Sequence, residues 1–265
     1  MKELGKHYCD VSKVHIAPIA KPIAKDMIIK YHYSHAWTMC RYALGVYYKT
    51  NTIDVLGNSD KLIGCIIYGY PVGRSAVKSV IDGLEKDECL ELTRLFIHDG
   101  YGSNIESYVM GQSFKWLKQN APNIKMLLSY ADPEQLHLGK IYQATNWLYQ
   151  DCRDIQLMPN YSVSLSDNPY KWIHSRTVFS KWGSHNLEHL KREIGKDGYG
   201  EFWRKRELPK HRYIQILGQT KRENKMLRKN LKHHLSEYPK NAEDFVPPIE
   251  NHKTNYIVEN TESFW

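Results

Sequence analysis

The sequence predicts a mixed α/β fold: a mostly antiparallel central sheet flanked by helices, followed by a basic helical lobe. Three observations predict it. Two runs rich in Val, Ile and Tyr, Arg41–Thr50 and Lys61–Pro71, are spaced as a hairpin. From residue 89 to residue 150 the apolar period alternates between strand and helix, as in an α/β unit. Charge is also uneven: residues 171–240 hold 18 Lys and Arg against 7 acids, whereas the first 170 residues hold 18 against 17. A chain of 265 residues, 42% hydrophobic, can fill one core of about 150–200 residues and still carry a further lobe. That composition excludes a mostly disordered chain.

The elements follow in order. Val14–Ala20 reads as a first strand, and Pro22 marks the start of a helix through AKDMIIKYHYSH. The hairpin comes next, joined through Asn51–Asp60, and then a loop with Gly73, Asp82 and Gly83. Cys89–His98 is a strand ended by Asp99-Gly100. Asn104–Gln119 has a helical stripe at Ile105, Tyr108, Val109, Phe114 and Leu117. Lys125–Tyr130 reads as a buried strand, and Leu138–Gln150 as a second helix with Ile141, Tyr142, Ala144 and Leu148 inward. Ile155–Leu165 and Trp172–Phe179 read as two more strands. From Asn186 onward HNLEHLKREIG, EFWRKRELPKHRY and KRENKMLRKNLKHHL read as basic helices. Residues 241–265, with Pro247-Pro248 and five acids against one Lys, read as a flexible acidic tail. The expected organisation is a catalytic domain over 1–183, a basic lobe over 184–240 and the tail.

Five scattered cysteines with no CxxC pair argue against a disulfide scaffold or zinc ribbon and for a reducing cytoplasm. The N-terminus carries no apolar signal stretch, and Leu62–Tyr70 is too short for a membrane span. The expectation is a soluble intracellular protein with no membrane partner. The oligomeric state is open, a homodimer included.

Four places can carry chemistry. In ELTRLFIHDGYGSNIES a strand runs through a glycine pair into a helix. Gly100, Tyr101, Gly102, Ser103 and Asn104 then lie where the free N–H groups of a helix N-terminus meet a phosphate or pyrophosphate. Arg94 adds a cation, and Ser103 or Ser107 a hydroxyl. In SYADPEQLHLGKIYQATNWLYQ, Ser129 and Asp132 stand at a strand end and Tyr142 on the following helix. There Tyr142 can protonate a leaving thiolate. Asp132 is a base, a metal ligand or a helix N-cap. In YHYSHAW, His32 and His35 are three apart and can share a helix face as general base or metal ligands. The basic segment, finally, interleaves Arg176, Lys181, Arg204, Lys205, Arg206 and Arg212 with Trp172, Trp182, Phe202, Trp203 and Tyr213. That pattern suits phosphate contact and base stacking, without a clean helix-turn-helix or zinc finger.

ELTRLFIHDGYGSN, SYADP and GKIYQATNWLY together resemble the acyl-CoA-binding core of the GNAT N-acetyltransferase superfamily. The glycine turn departs from that superfamily's usual Arg/Gln-x-x-Gly-x-Gly/Ala form. HYSHAW, YALGVYY, GCIIYGYPVGR, ELTRLFI, SYADP and IYQATNW, in that order over about residues 25–180, resemble more specifically the Mom DNA-modification proteins of Mu-like phages. The resemblance implies a GNAT-like fold and an enzyme of the host cytoplasm acting on double-stranded DNA. Such an enzyme converts adenine to a carbamoylmethyl derivative at its exocyclic amine, which shields DNA from restriction. It implies roles for His32, Tyr33, Arg94, Ser107, Asp132 and Tyr142, and an acyl-CoA-like donor at Arg94 and residues 100–104. Acyl transfer alone gives an amide, so a further step, an unusual donor or a metal is needed. His32, Tyr33 and Asp132 are the candidate iron ligands. The alternatives are an acyltransferase acting on a protein or small-molecule amine, distinguished by turnover without DNA, and a non-catalytic nucleic-acid-binding protein. Retention of Asp132, Tyr142 and His32 together speaks for the enzyme.

Overall fold

The computed structural model describes residues 8–50, 60–73, 75–155, 159–165 and 171–255. The strands are β1 (Val14–Pro18), β2 (Tyr42–Lys49), β3 (Asp60–Gly69), β4 (Cys89–Ile97), β5 (Met126–Ala131), β6 (Leu148–Gln150), β7 (Asn160–Ser164), β8 (Glu201–Glu207), β9 (His211–Ile216) and β10 (Ile249–Lys253). The helices are α1 (Lys21–Tyr31), α2 (Ile105–Asn120), α3 (Lys140–Ala144), α4 (Ser175–Trp182), α5 (Leu187–Lys196) and α6 (Lys221–Lys229). The expected mixed, mostly antiparallel sheet flanked by helices is what the chain forms. None of the described helices is long and apolar enough to cross a membrane.

The chain divides into two units. The first comprises Met1–Ala131, Gly139–Asp151 and His211–Tyr238. Its seven-stranded sheet runs β1-β2-β3-β4-β5-β9-β6. Only β4 and β5 pair in parallel, since α2 carries the chain across between them. Successive side chains of β5 point to opposite faces: Leu127 joins the α2 side with Leu117, Trp147 and Tyr213, while Met126 and Leu128 join Ile214 and Leu227 of the α6 side. Helix α1 covers a smaller patch of Ala43, Cys65 and Ile67 with Ala24 and Ile28.

The second unit comprises Asp132–Leu138, Cys152–Lys210 and Pro239–Trp265. Its sheet runs β10-β8-β7. Helices α4 and α5 close a core of Val163, Val178, Trp182, Leu190, Ile194 and Phe202. One carboxylate ties this unit together. Glu207 accepts from the hydroxyls of Ser162 and Ser175 and, at 2.7 Å, from the Ser175 N–H. Burial alone would push Glu207 up, but those hydrogen bonds and nearby His174 outweigh it and hold the carboxyl below its usual range.

Several expectations are corrected. The chain does not divide at 183, and 184–240 is not a helical lobe. EFWRKRELPKHRY forms two strands, one in each unit. Its first half is rich in helix formers, but ring and ion contacts across the second sheet override propensity. Its second half, β9, is the penultimate strand of the large sheet, buried on both faces, and so lacks the polar/apolar alternation that marks a strand. Trp172–Phe179 is not a strand: Ser175, Val178 and Trp182 are buried at helical spacing, and His174 caps α4 by accepting from Arg176 N–H. The helix expected over Leu138–Gln150 stops at Ala144. Asn146 takes a left-handed φ of 59°, Trp147 N–H turns back to the Tyr142 carbonyl, and Leu148–Gln150 becomes an edge strand. Part of the acidic tail is ordered: Phe245 is buried and Ile249–Lys253 pairs with β8. Residues 256–265 lie outside the described residues, as do 51–59 of the hairpin linker.

Candidate active site

The site begins where two strands part. β4 and β5 share a ladder only over Cys89–Glu91 and Met126–Leu128. Beyond it β4 stays with β3 and β5 stays with β9. Backbone groups released by such a parting need other partners. Ser129 supplies one: its Oγ donates to the Leu92 carbonyl at 3.0 Å. The same Oγ lies 2.8 Å from the Tyr142 hydroxyl. The serine is the donor in both contacts, so its one proton is divided between the Leu92 carbonyl and the phenol oxygen, and the phenol's own proton is not spent on the serine.

Tyr142 reaches this point from α3, its ring packed on Trp147 and Tyr213 at centroid distances of 5.2 and 4.9 Å. Gly139, at the N-cap of α3, makes the approach possible. Its φ is 68°, and a Cβ there would meet the Tyr213 ring at 2.4 Å and Tyr142 at 2.9 Å. Burial pushes the phenol up to about 12. The Ser129 hydrogen bond opposes this, while Tyr33 and Glu91 add to it. Tyr142 therefore holds its proton throughout the neutral range.

His32 and Tyr33 belong to the same unit, and Tyr33 lies within electrostatic reach of Tyr142. They do not share a helix face with His35. Helix α1 ends at Tyr31, and His32 is its extended C-cap, so YHYSHAW leaves the helix as a loop. Arg94 holds that loop to β4: its guanidinium donates to the Ala36 carbonyl at 3.3 and 3.2 Å and to the Thr93 carbonyl at 2.6 Å. Those bonds commit Arg94 to the loop rather than to the glycine turn. Burial, then the charges of Arg94 and His35, push His32 down to about 4. Its Nδ1 accepts the Ser34 N–H at 3.1 Å. A neutral imidazole with Nδ1 accepting carries its proton on Nε2. His32 thus presents a donor, which corrects the general-base expectation. Tyr33 is 74% exposed, its ring 4.3 Å from that of His32.

The iron set does not fit. Ligation through Nε2 would move the His32 proton onto Nδ1, against the N–H of Ser34. Among the described residues, no group of three or more His, Cys, Asp or Glu is placed to hold a metal ion. Asp132 belongs to the other unit. It is the N-cap of a 3-10 turn, accepting from Glu134 N–H at 3.0 Å, with Lys210 3.4 Å away.

The glycine turn lines a cavity of about 300 Å³ with His98, Asp99, Tyr101, Ile105 and Glu106. Gly100 and Gly102 both have φ of 96°, and open space lies where a Gly100 side chain would project. Asn104 does not cap α2 with its side chain, whose Oδ1 accepts from Cys9 N–H at 3.1 Å. First-turn N–H groups without a side-chain cap fit a diphosphate. Asp99 and Glu106 bring two carboxylates to the same wall, so the attraction for an anion rests on those N–H groups. Ser107 donates to the Asn104 carbonyl at 2.9 Å, within the helix. Tyr101 packs on Tyr48 at 5.0 Å.

The basic candidates separate sharply. Arg212 is 7% exposed and donates to Gln150 Oε1 at 3.1 Å in the interior of the first unit. It cannot touch a DNA backbone, which corrects that expectation. Arg204 pairs with Glu250 at 2.7 Å and lies 4.2 Å over the Tyr161 ring. Lys205 pairs with Glu134 at 2.9 Å, 4.9 Å over Trp172. Lys181 pairs with Asp197 at 3.0 Å. Arg176 and Arg206 are exposed.

Sequence reasoning missed Glu91 as a neighbour of Tyr142. The available signal was a carboxylate inside the apolar strand CLELTRLFI, where a charge needs a reason.

Comparison with known proteins adds three findings. A crystal structure of spermidine N-acetyltransferase from Vibrio cholerae, in complex with CoA and spermine, superposes with a TM-score of 0.36 at 7% identity, covering 78% of this chain and 96% of that one. The methylcarbamoylase Mom of Escherichia phage Mu is 25% identical over 126 residues, 47% of this chain and 48% of the relative. That match spans about half the length of the relative. Residues 13–240, well over half of the chain, match the profile of the Mom protein family, and the chain belongs to that family.

Proposed function

We propose that this protein is a phage DNA-modification enzyme that transfers a group to the exocyclic amine of adenine, giving a carbamoylmethyl derivative that shields DNA from host restriction. The observation that carries the reading is the Ser129–Tyr142 pair at the parting of β4 and β5, in a chain of the Mom family.

Adenine's amine lies inside the duplex, so the base is extruded, at about a few kcal/mol. Tyr33 is exposed and offers a ring on which an extruded base can stack. Tyr142, a phenol to about pH 12, protonates the departing group. His32 Nε2–H is a second donor. An acyl-CoA-like donor, held by the backbone at Gly100, Tyr101, Gly102, Ser103 and Asn104, supplies an activated acyl group. Plain acyl transfer gives an amide, and a glycyl amide has the same mass as a carbamoylmethyl amine, so fragmentation of the product tells whether the adenine nitrogen is bonded to a carbonyl or to a methylene. DNA contact is assigned to Arg176 and Arg206, which have no ion-pair partner among the described residues.

Nucleoside mass spectrometry tests the reading. Plasmid DNA from bacteria expressing the protein should contain an adenosine derivative heavier by a carbamoylmethyl group, absent with Tyr142→Phe. Unmodified DNA from folded, well-expressed protein, with acyl transfer to a small amine, would move the assignment to an acyltransferase.

A further inference from the structure

We infer that α6, with the cavity beside it, is a seat for the phosphodiester backbone of DNA in the first unit, a deeper reading that rests on the proposed function. The exposed side chains of Lys221, Arg222, Lys225, Arg228 and Lys229 have neither an ion-pair nor a hydrogen-bond partner among the described residues. The helix's one acid, Glu223, is turned to Lys125 at 2.8 Å. Leu227 alone is buried, and it fixes which side faces out.

Lys221 and Lys225, and Lys225 and Lys229, are four apart. Like charges at that spacing destabilise a helix. A row of phosphates relieves that repulsion and releases the counterions condensed on the DNA. Lys225 and Arg228 also line a cavity of about 390 Å³ together with the polar side chains of Asn146, Gln215 and Asn224. Asn146 follows Tyr142 by four residues, so their Cα atoms are at most about 14 Å apart. At roughly 3.4 Å of rise per nucleotide, a phosphate held there is within a few nucleotides of a base at Tyr142. The surface is thus cationic, partly concave and tied to the reaction site by a short stretch of chain.

The test is binding of a short fluorescein-labelled duplex across a salt series. The triple variant Arg222→Gln, Lys225→Gln, Arg228→Gln should bind more weakly and lower the slope of log affinity against log salt by roughly 0.9 per lost contact, about 2.7 in all. Lys225→Gln alone should lower it by about 0.9. Lys191→Gln, Arg192→Gln, Lys196→Gln removes as much charge from α5, where each cation already has an acid partner, and should leave the slope unchanged. Circular dichroism melts confirm that the variants fold. A wild-type slope in the α6 variants overturns the inference, and if the wild type still modifies adenine the proposed function stands. Loss of slope in a protein that modifies no DNA upholds the phosphate seat and removes the proposed chemistry.

Discussion

Two serine-bound groups, one in each unit, end in opposite charge states. In the first unit Ser129 meets the Tyr142 hydroxyl at 2.8 Å. In the second, Ser162 and Ser175 meet the Glu207 carboxylate. Ser129 has a single proton to divide between Leu92 O and the phenol, so its downward pull is outweighed by burial, which drives Tyr142 up to about 12. Glu207 is also largely buried, but two hydroxyls and the Ser175 N–H donate to it, so it stays ionised and its pKa is lowered. Burial alone does not set the protonation state. The number of donors aimed at the group does. The same difference separates a residue that can deliver a proton from one that anchors three elements.

The largest expected effect sharpens the first half of that comparison. Tyr142→Phe removes the proton donor and keeps the ring, so modification should slow by about 10²–10⁴-fold, with an unchanged melt and unchanged DNA affinity. Equal activity in a time course of modified nucleoside would reduce Tyr142 to a packing residue. Gly139→Ala should come next. It combines a left-handed residue, about 1–2 kcal/mol, with a clash on Tyr213 and Tyr142, about 1–3 kcal/mol. Urea titration should show the stability loss, and activity should fall with it.

Glu207→Gln probes the other half. It should cost about 1–3 kcal/mol by weakening hydrogen bonds to a charged acceptor. The sign of the pH effect follows from the lowered pKa. The wild-type carboxylate contributes stability fully above the ordinary Glu value, and that contribution is lost as pH falls through the folded value. The variant's acid unfolding curve should therefore be flatter, with the chemistry at Tyr142 intact. If the two acid curves coincide, Glu207 is no anchor. His32 gives a companion test. Its folded pKa of about 4 lies below that of the unfolded chain, so stability drops as pH falls from about 6.5 towards 4. His32→Leu should remove that slope. The smallest effect is expected of Ser129→Ala: about fivefold in rate, one hydrogen bond's net worth of about 1 kcal/mol.

Much of the first unit was legible in the sequence. The hairpin, the strand at Cys89, α2 and the strand at Met126 follow from local period, because each keeps one apolar face over many residues. Tyr142, the glycine turn and the 32–37 segment were all legible as candidates. Local pattern did not reveal that YHYSHAW leaves the helix, that Arg94 is used up in holding it, or that His32 points a donor rather than a base. Those depend on which backbone groups lie within hydrogen-bonding distance. The second unit was legible only at α5 and in part of β7. Its strands are short and charged, and they owe their conformation to partners far along the chain, as Arg204 does to Tyr161 and Glu250.

By itself the sequence determined the fold class, the family pattern and the excess of positive charge after residue 171, because composition and period are local properties. Tertiary structure decided where the charge is free. It buried Arg212, paired Arg204 and Lys205, and left α6 open. It also decided which ionisable group keeps its proton, since desolvation and the count of donors exist only once distant residues have been brought together.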